Sequence, residues 1–407
     1  MAGVNMLEVL LGERIVGNLT LLEGDQSIFA FTDEYVADTN RPTLSLSFKN
    51  ALGDLITRVR PTQTRLSPFF SNLLPEGSLR EVLAKRAGVD PVREFFLLWV
   101  LGQDLPGAIV VRPADGQALP PGVEEGPERR GTRKNALLRF SLAGVQLKFS
   151  AIEKATGGLT IPASGVGGHW IVKLPSMTHE GVSENEFSMM SLARSIGIDT
   201  PEFRLVDLED IAGLPEGLGQ LRGAAYAIKR FDRTDDGGKI HMEDFAQVFG
   251  LYPAEKYAKA SSRNIAEVLW SETGEVGTAE FVRRLVFNVL IGNGDMHVKN
   301  WSVMHPRDGS VRLSPAYDFV STVGYIPSDR LGLKLVRTKE FAEVTWEELD
   351  RLAAKAGLPS RMVRSAASET IERFHAAWKA EGPSLPIPRV VREAIRQNLD
   401  QVPIARG

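Results

Sequence analysis

The sequence predicts an α+β chain of two lobes, one rich in strands and one mostly helical, with a cleft between them. Three observations lead to this reading. Residues 6–60 contain "MLEVLL", "RIVGNLTLL", "SIFAFT" and "LSLSF", short alternating or β-rich runs broken by the turn signals "EGDQ" and "NRPT". The stretch "RPADGQALPPGVEEGPERRGTRK" is dense in Pro, Gly and charge without any apolar period, and so reads as a linker before a second run of strands. From Glu243 onward the pattern is mostly helical, interrupted by a polar loop and by "VRLSPAYDFVST".

The elements follow in order. In "PFFSNLLPEGSLREVLAKRAGVD" a helix starts near Pro75 and Glu76 and stops near Gly88, and a second helix is expected from Pro91 to Gly102. After the linker, "ALLRFSLAGVQLKFSAI", "LTIPA" and "HWIVKLP" read as strands, followed by a helix from about Ser183 to Ser195. Strands resume at "FRLVDLED" and "AAYAIKRFDR". The expected divisions are an N-terminal subdomain over 1–112, a linker over 113–134, a strand-rich lobe over 135–232 and a helical lobe over 233–407.

A chain of 407 residues is too long for one ordinary core, and 43% hydrophobic with 24% charged residues is a globular composition. The 48 basic and 51 acidic residues give −3, which argues against a nucleic-acid coat or a polybasic membrane binder. Arg129, Arg130, Arg133 and Lys134 are read as a solvated linker cluster. With no cysteine there are no disulfides, thiolate metal sites or cysteine nucleophiles. The opening segment lacks signal-peptide features and no run approaches a membrane span, so a cytoplasmic protein is expected. His241 and His305 have no metal-ligand spacing, and no zinc is expected.

The polar loop carries the chemistry. Phe281, Val282, Leu285, Val286, Val289 and Leu290 form the stripe of a buried helix, Gly292 suits its C-cap, and "GNGDMHVKN" leaves that helix as a loop. Asp295 and Asn300 have the Asp-x4-Asn spacing of phosphotransferase catalytic loops, and Asp318 in "AYDFVS" resembles a metal-binding Asp-Phe-Gly with Val320 in place of glycine. Transfer of a γ-phosphoryl group concentrates negative charge, so Mg²⁺ must be held by hard oxygens such as those of Asn300 and Asp318, while Asp295 orients or deprotonates the acceptor hydroxyl. Lys173 ends a strand as the phosphate-binding lysine of kinases does, and Glu184 or Glu186 on the next helix would pair with it, Glu186 being favoured by its helix face. In "FSLAGVQLKFS", Ser141 and Gly144 would let backbone N–H groups approach phosphates beside Gln146 and Lys148. Around Lys229 and Phe231, "YAIKRFDR" would meet adenine. Singly, each residue has an ordinary reading as a cap, a packed histidine or a surface lysine. Their order along the chain favours the phosphotransferase.

The blocks "FFSNLLPEGSLREVLAKRAG", "LGQDLPGAIVV", "FSLAGVQLKFS", "IVKLP", "ENEFSMMSLARSIGI", "YAIKRFDR", "HMEDFAQVFG", "NGDMHVKNWSV" and "LSPAYDFVS" together resemble the HipA family of bacterial toxin-antitoxin kinases, in family order and over most of the chain. The resemblance implies a two-lobed protein-kinase-like fold of HipA type with an added N-terminal subdomain. It implies an ATP- and Mg²⁺-dependent Ser/Thr protein kinase that phosphorylates a protein such as an aminoacyl-tRNA synthetase, arresting translation and growth and promoting persistence. A helix-turn-helix antitoxin, HipB, which binds operator DNA, is the implied partner. By position, Asp295 is similar to the catalytic base, Asn300 and Asp318 to the Mg²⁺ ligands, and Lys173 to the phosphate lysine. Ser141 matches the autophosphorylated serine whose modification switches the kinase off. His297 and Lys299 resemble neighbours of the nucleotide, and Lys229, Arg230 and Phe231 the adenine hinge. Val145 and Leu147 depart from the loop pattern, and beyond Glu340 only a helical pattern matches.

Two other readings stay open at this point. "GDMHVKN" is also similar to the loop of small-molecule kinases of the aminoglycoside or choline type, against which the N-terminal 110 residues argue. A non-catalytic corepressor working with a DNA-binding partner is the other, against which intact Asp295, Asn300, Asp318 and Lys173 weigh.

Overall fold

The computed structural model describes residues 5–114, 147–154, 158–162, 167–214, 221–326 and 328–406. The N-terminal part is an antiparallel sheet of β1 (Met6–Leu11), β2 (Arg14–Leu22), β3 (Gln26–Phe31), β4 (Thr62–Gln63) and β5 (Ile109–Pro113), in the order β4-β3-β2-β1-β5. Helices α1 (Asp33–Ala37), α2 (Pro68–Ser71), α3 (Gly77–Ala87) and α4 (Glu94–Leu101) complete it. Alternation along β1 buries Leu7 and Val9 against Val16, Leu19, Phe29, Phe70 and Leu97 in a core of its own.

One strand reading changes here. "LSLSF" is not a strand: Leu46–Phe48 is a 3₁₀ turn. The Leu46 N–H donates to Glu243 Oε1 at 2.9 Å and the Ser45 hydroxyl to Glu243 Oε2 at 2.5 Å, so a buried carboxylate takes donors that a strand would give to a neighbour. Its place in the sheet falls to β5, which pairs with β1 from Leu7 opposite Pro113 to Leu11 opposite Ile109.

A second, six-stranded sheet has the order β10-β7-β6-β8-β11-β9. Its members are β6 (Lys148–Glu153), β7 (Leu159–Thr160), β8 (Trp170–Lys173), β9 (Phe203–Val206), β10 (Ile211–Ala212) and β11 (Ala225–Lys229), crossed by α5 (Val182–Ser195). The helical lobe holds β12 (His241–Asp244), α6 (Phe245–Val248), α7 (Ser262–Ile291), β13 (Ser302–His305), β14 (Arg312–Leu313), α8 (Trp346–Ala356), α9 (Ser360–Ala380) and α10 (Arg389–Gln401). Helix α7 bends at Gly274 and sends Phe281, Val282, Leu285, Val286, Val289 and Leu290 into the largest core, shared with α5, α8, α9 and α10. No described helix is long and apolar enough to cross a membrane.

Polar bonds stitch the N-terminal part to the lobes. Besides the Glu243 bonds, Asn72 Nδ2 donates to the Leu251 carbonyl at 2.7 Å, Gln247 Nε2 to the Phe69 carbonyl at 3.0 Å, and His241 Nε2 to the Leu44 carbonyl at 2.7 Å. Burial lowers the His241 imidazole to about 4, reinforced by the His305 ring stacked at 5.4 Å and opposed by the Leu44 bond and Glu243. A histidine held neutral in the native state and free to charge when unfolded stabilises fully above about pH 6.5. That contribution shrinks as pH falls towards 4, by up to about 3 kcal/mol in all. Urea unfolding across pH 7.5 to 4 is expected to show this slope, and His241→Gln to flatten it; His297, also buried and lowered to about 3, contributes equally to both proteins. An unchanged slope in the variant would remove His241 from the account.

Candidate active site

Strand β8 ends at Lys173, opposite Tyr226 on β11 and Lys148 on β6, so its side chain leaves the sheet at the mouth of the cleft. There its ammonium is shared. It bonds Glu186 Oε1 of α5 at 2.6 Å and also bonds Asp318 Oδ1. Glu186 is fully buried, whereas Glu184 turns to lie near Gly223. Burial works against the Lys173 charge, but Asp318 and Glu186 together hold its pKa above the ordinary value. Asp318 is the mirror case: burial would raise it, and Lys173 and Lys148 pull it well below the usual carboxylate range. Glu186 is raised by burial and by Asp318, against the pull of Lys173, and its Oε2 has no hydrogen-bond partner among the described residues.

The catalytic-loop candidates converge on the same point. Helix α7 stops where Gly292 takes φ 66° and donates back to the Val289 carbonyl at 3.2 Å. A Cβ on Gly294 would lie 2.1 Å from the Asp329 carboxylate, so this glycine admits a close approach no side chain allows. Asn293 Oδ1 accepts from the Asp295 N–H at 3.0 Å, and Asn300 Oδ1 from the His297 N–H at 2.9 Å, which fixes the turn. Asn300 Nδ2 then donates to Asp318 Oδ2 at 2.9 Å. Asp318 sits at φ 58°, one of three non-glycine residues in the left-handed region among those described. Such a backbone costs on the order of 1–3 kcal/mol and persists only where the surroundings impose it, a mark of functional sites.

Asp295 opens to the cleft and is hemmed in on its other sides. That partial desolvation raises its carboxyl, against a hydrogen bond from the Tyr257 hydroxyl to Oδ1 and the charge of Lys256, and with help from Asp318 and Asp329. The His297 ring is buried edge-on to Tyr257 at 5.0 Å, and burial followed by the charge of Lys256 lowers it to about 3, leaving it neutral at neutral pH.

Several expected nucleotide contacts fall elsewhere. The Arg230 guanidinium is consumed by Asp104 at 3.2 Å and Asp232 at 2.9 Å, where Arg233 joins it on the same two carboxylates. It is a buried tie between the N-terminal part and the hinge, because two arginines are needed to balance two aspartates cut off from water. Lys229 pairs with Asp235 at 2.8 Å, and its N–H is spent on the Glu202 carbonyl. Phe231 does face the cleft floor, its ring 5.7 Å from Tyr317. Lys299 points to the N-terminal part, bonding Glu76 Oε1 at 2.7 Å and Asn72 Oδ1 at 3.0 Å, with Asp244 at 3.7 Å. Burial would raise Glu76, yet Lys299 and Lys256 bring it down to about 2. Lys148 stands exposed at the cleft; withdrawal of water by the cleft walls and repulsion from Lys173 and Lys299 lower it, against Asp318 and Glu76. Ser141 and Gln146 lie outside the described residues.

Sequence reasoning missed Glu76, Tyr257 and Asp329. Glu76 lies in the quoted "NLLPEG" block but was read only as a helix start, and no spacing links Tyr257 or Asp329 to the loop.

Asp318 and Asn300 suit Mg²⁺ by donor type, a carboxylate and an amide oxygen, and the Asp318 carboxylate already faces a cation in Lys173. Asn300 Oδ1 keeps one lone pair beyond the bond from His297, which is what a metal would use. Among the described residues no group of three or more His, Cys, Asp or Glu could hold a metal, so phosphate oxygens and water would complete the shell.

Comparison with known proteins identifies the family of the chain. The HipA N-terminal domain family matches residues 7–112, and the HipA-like C-terminal domain family matches 140–378. The chain is 53% identical over 409 residues to a Sinorhizobium fredii protein named as a kinase, Y4dM, covering 100% of this chain and 99% of that protein. It is 26% identical over 351 residues to the serine/threonine-protein kinase toxin HipA of Shewanella oneidensis, covering 78% of this chain and 76% of the toxin. A solved complex of Shewanella oneidensis HipA, HipB and operator DNA contains a chain of the same fold, with TM-score 0.73 at 22% identity over 97% of this chain and 96% of that one. On the match of both domain families and the near-complete alignment with Y4dM, this chain belongs to the HipA family.

Proposed function

We propose that this chain is an ATP- and Mg²⁺-dependent Ser/Thr protein kinase, the toxin of a HipBA-type pair. The observation that supports it best is the meeting of Lys173, Asp318, Asn300 and Asp295 at one cleft from three separate stretches of chain. Asp295 accepts the proton of a Ser or Thr hydroxyl as its oxygen forms a bond to the γ-phosphorus and the bond to the β,γ-bridging oxygen breaks, releasing ADP. Lys173 exchanges the Asp318 carboxylate for phosphate oxygens while Glu186 keeps it aimed. Asn300 and Asp318 would hold Mg²⁺, which when bound would supply positive charge to offset that of the phosphates. Phe231, with no backbone hydrogen bond among the described residues, offers its N–H and carbonyl to the adenine edge. The wider reading has three parts: a protein target such as an aminoacyl-tRNA synthetase, with growth arrest and persistence as the outcome; silencing through phosphorylation of Ser141; and a HipB-like helix-turn-helix antitoxin that carries the toxin to operator DNA. Its support is family membership and the named Shewanella relatives.

Two experiments test this. Asp295→Ala and Asp318→Ala should each lower ATP-dependent phosphate transfer to protein by about 10²-fold or more and relieve growth inhibition, while near-native circular dichroism shows the fold kept. Phosphoproteomics after expression of wild type against Asp295→Ala identifies the target; equal phosphate transfer by all three proteins rules the assignment out, and phosphate on aminoglycoside or choline but never on protein transfers it to the small-molecule class. Ser141→Ala should stay active through prolonged incubation with ATP while wild type loses activity. Mass spectrometry that finds the self-added phosphate only at another residue would remove Ser141 from the mechanism.

A further inference from the structure

The connector between α6 and α7, "YPAEKYAKASS", lies across the catalytic loop and brings a phenol to it. Tyr257 is 39% exposed at the rim, and its hydroxyl donates to Asp295 Oδ1. It is held there from three sides. The ring packs edge-on against His297, the Lys256 ammonium lies 5.5 Å from the ring centroid, and Lys339 Nζ bonds the Tyr257 carbonyl at 3.3 Å and the Gly332 carbonyl at 2.6 Å. The opposite side of the loop is buttressed too, since the Gly294 N–H donates to Thr322 Oγ1 at 2.7 Å and Thr322 bonds Asp329. Asp295 Oδ2, by contrast, has no hydrogen-bond partner among the described residues. One oxygen of the carboxylate is thus fixed by a rigid donor and the other is presented to the cleft.

We propose that Tyr257 is a positioning residue for the acceptor step: it anchors Asp295 through Oδ1 so that Oδ2 is aimed at the hydroxyl to be phosphorylated. The proposal rests on the role of Asp295 given above. The phenol stays protonated, because burial and the neighbouring Asp295 carboxylate raise its pKa, so it acts only as a donor. A donor to a carboxylate favours the ionised form, which is the form a base needs. The charged and titratable groups around Asp295 are Lys256 and Tyr257 on the connector, Asp318 after β14 and Asp329 on the loop beyond it; Tyr257 alone among them bonds the carboxylate directly.

Tyr257→Phe removes the donor and keeps the ring against His297. In the full-length protein, kcat for phosphate transfer to the protein acceptor should fall about tenfold while KM for ATP stays unchanged, and the acid limb of the pH profile should move up. A readout independent of turnover is the ¹³C NMR titration of the Asp295 carboxyl, assigned with Asp295→Asn, whose midpoint should rise by about one unit in Tyr257→Phe. A midpoint and a kcat equal to wild type overturn the proposal. So does a faster enzyme with a lower KM for the acceptor, which would make the phenol a plug. Transfer that survives in Asp295→Asn instead overturns the base assignment, and the NMR midpoint then still decides whether Tyr257 governs this carboxyl.

Discussion

One buried ammonium joins three pieces of chain that lie far apart in the sequence. Lys173 closes strand β8, Glu186 lies on α5, and Asp318 follows β14 in the other lobe. Withdrawing these charges from water is costly, and their mutual attraction offsets the cost only when the geometry is good. Removing Lys173 would leave the buried Glu186 carboxylate uncompensated, a loss of about 3–5 kcal/mol for such pairs. The left-handed backbone of Asp318 belongs to the same bargain: its strain persists because Lys173 and Asn300 both hold the side chain that it carries.

The N-terminal part is built into this arrangement. Its own core would fold the sheet, yet its outward polar groups end on kinase-lobe elements: Asp104 on Arg230 and Arg233, Ser45 and Leu46 on Glu243, and Asn72 and Glu76 on Lys299 of the catalytic loop. The last contact matters most for chemistry. Lys299 lies one residue from Asn300, so the loop that would carry a metal ligand is held on one side by α7 and on the other by the first turn of α3. Motion of the N-terminal part therefore reaches the loop at Lys299, which Glu76 and Asn72 both hold.

What was legible in the sequence divides along physical lines. The α7 stripe, its Gly292 cap and the loop that follows are local properties, fixed by periodicity and by the φ that glycine tolerates, and the helix over α5 is of the same kind. The choice of Glu186 over Glu184 was also local, because helix phase decides which of two near neighbours faces the sheet. "LSLSF" was misread because a β-forming composition was overruled by a carboxylate from β12, nearly two hundred residues away. The ties of the Arg230 guanidinium could not be read from the sequence, because Asp104 lies more than a hundred residues away and only the fold brings it there. Tyr257 could not be found at all: its relation to Asp295 is a crossing of two loops with no repeat or spacing to announce it.

The charge pattern of the cleft constrains how a polyphosphate could enter it. Lys173 is already matched by Glu186 and Asp318, and Lys299 by Glu76, so their positive charge is spoken for. Lys148 differs, having no ion-pair partner within 4 Å among the described residues and a lowered pKa in the crowd of neighbouring ammonium groups. A polyanion arriving at such a site gains little from cations already neutralised unless it takes their partners' places. It gains most where a cation is still uncompensated, because there it restores a charge the empty cleft disfavours. First contact would accordingly fall at Lys148 on the strand edge of the cleft. Engagement of Lys173 would follow only as Asp318 gives up the ammonium, because that carboxylate and Glu186 already neutralise it.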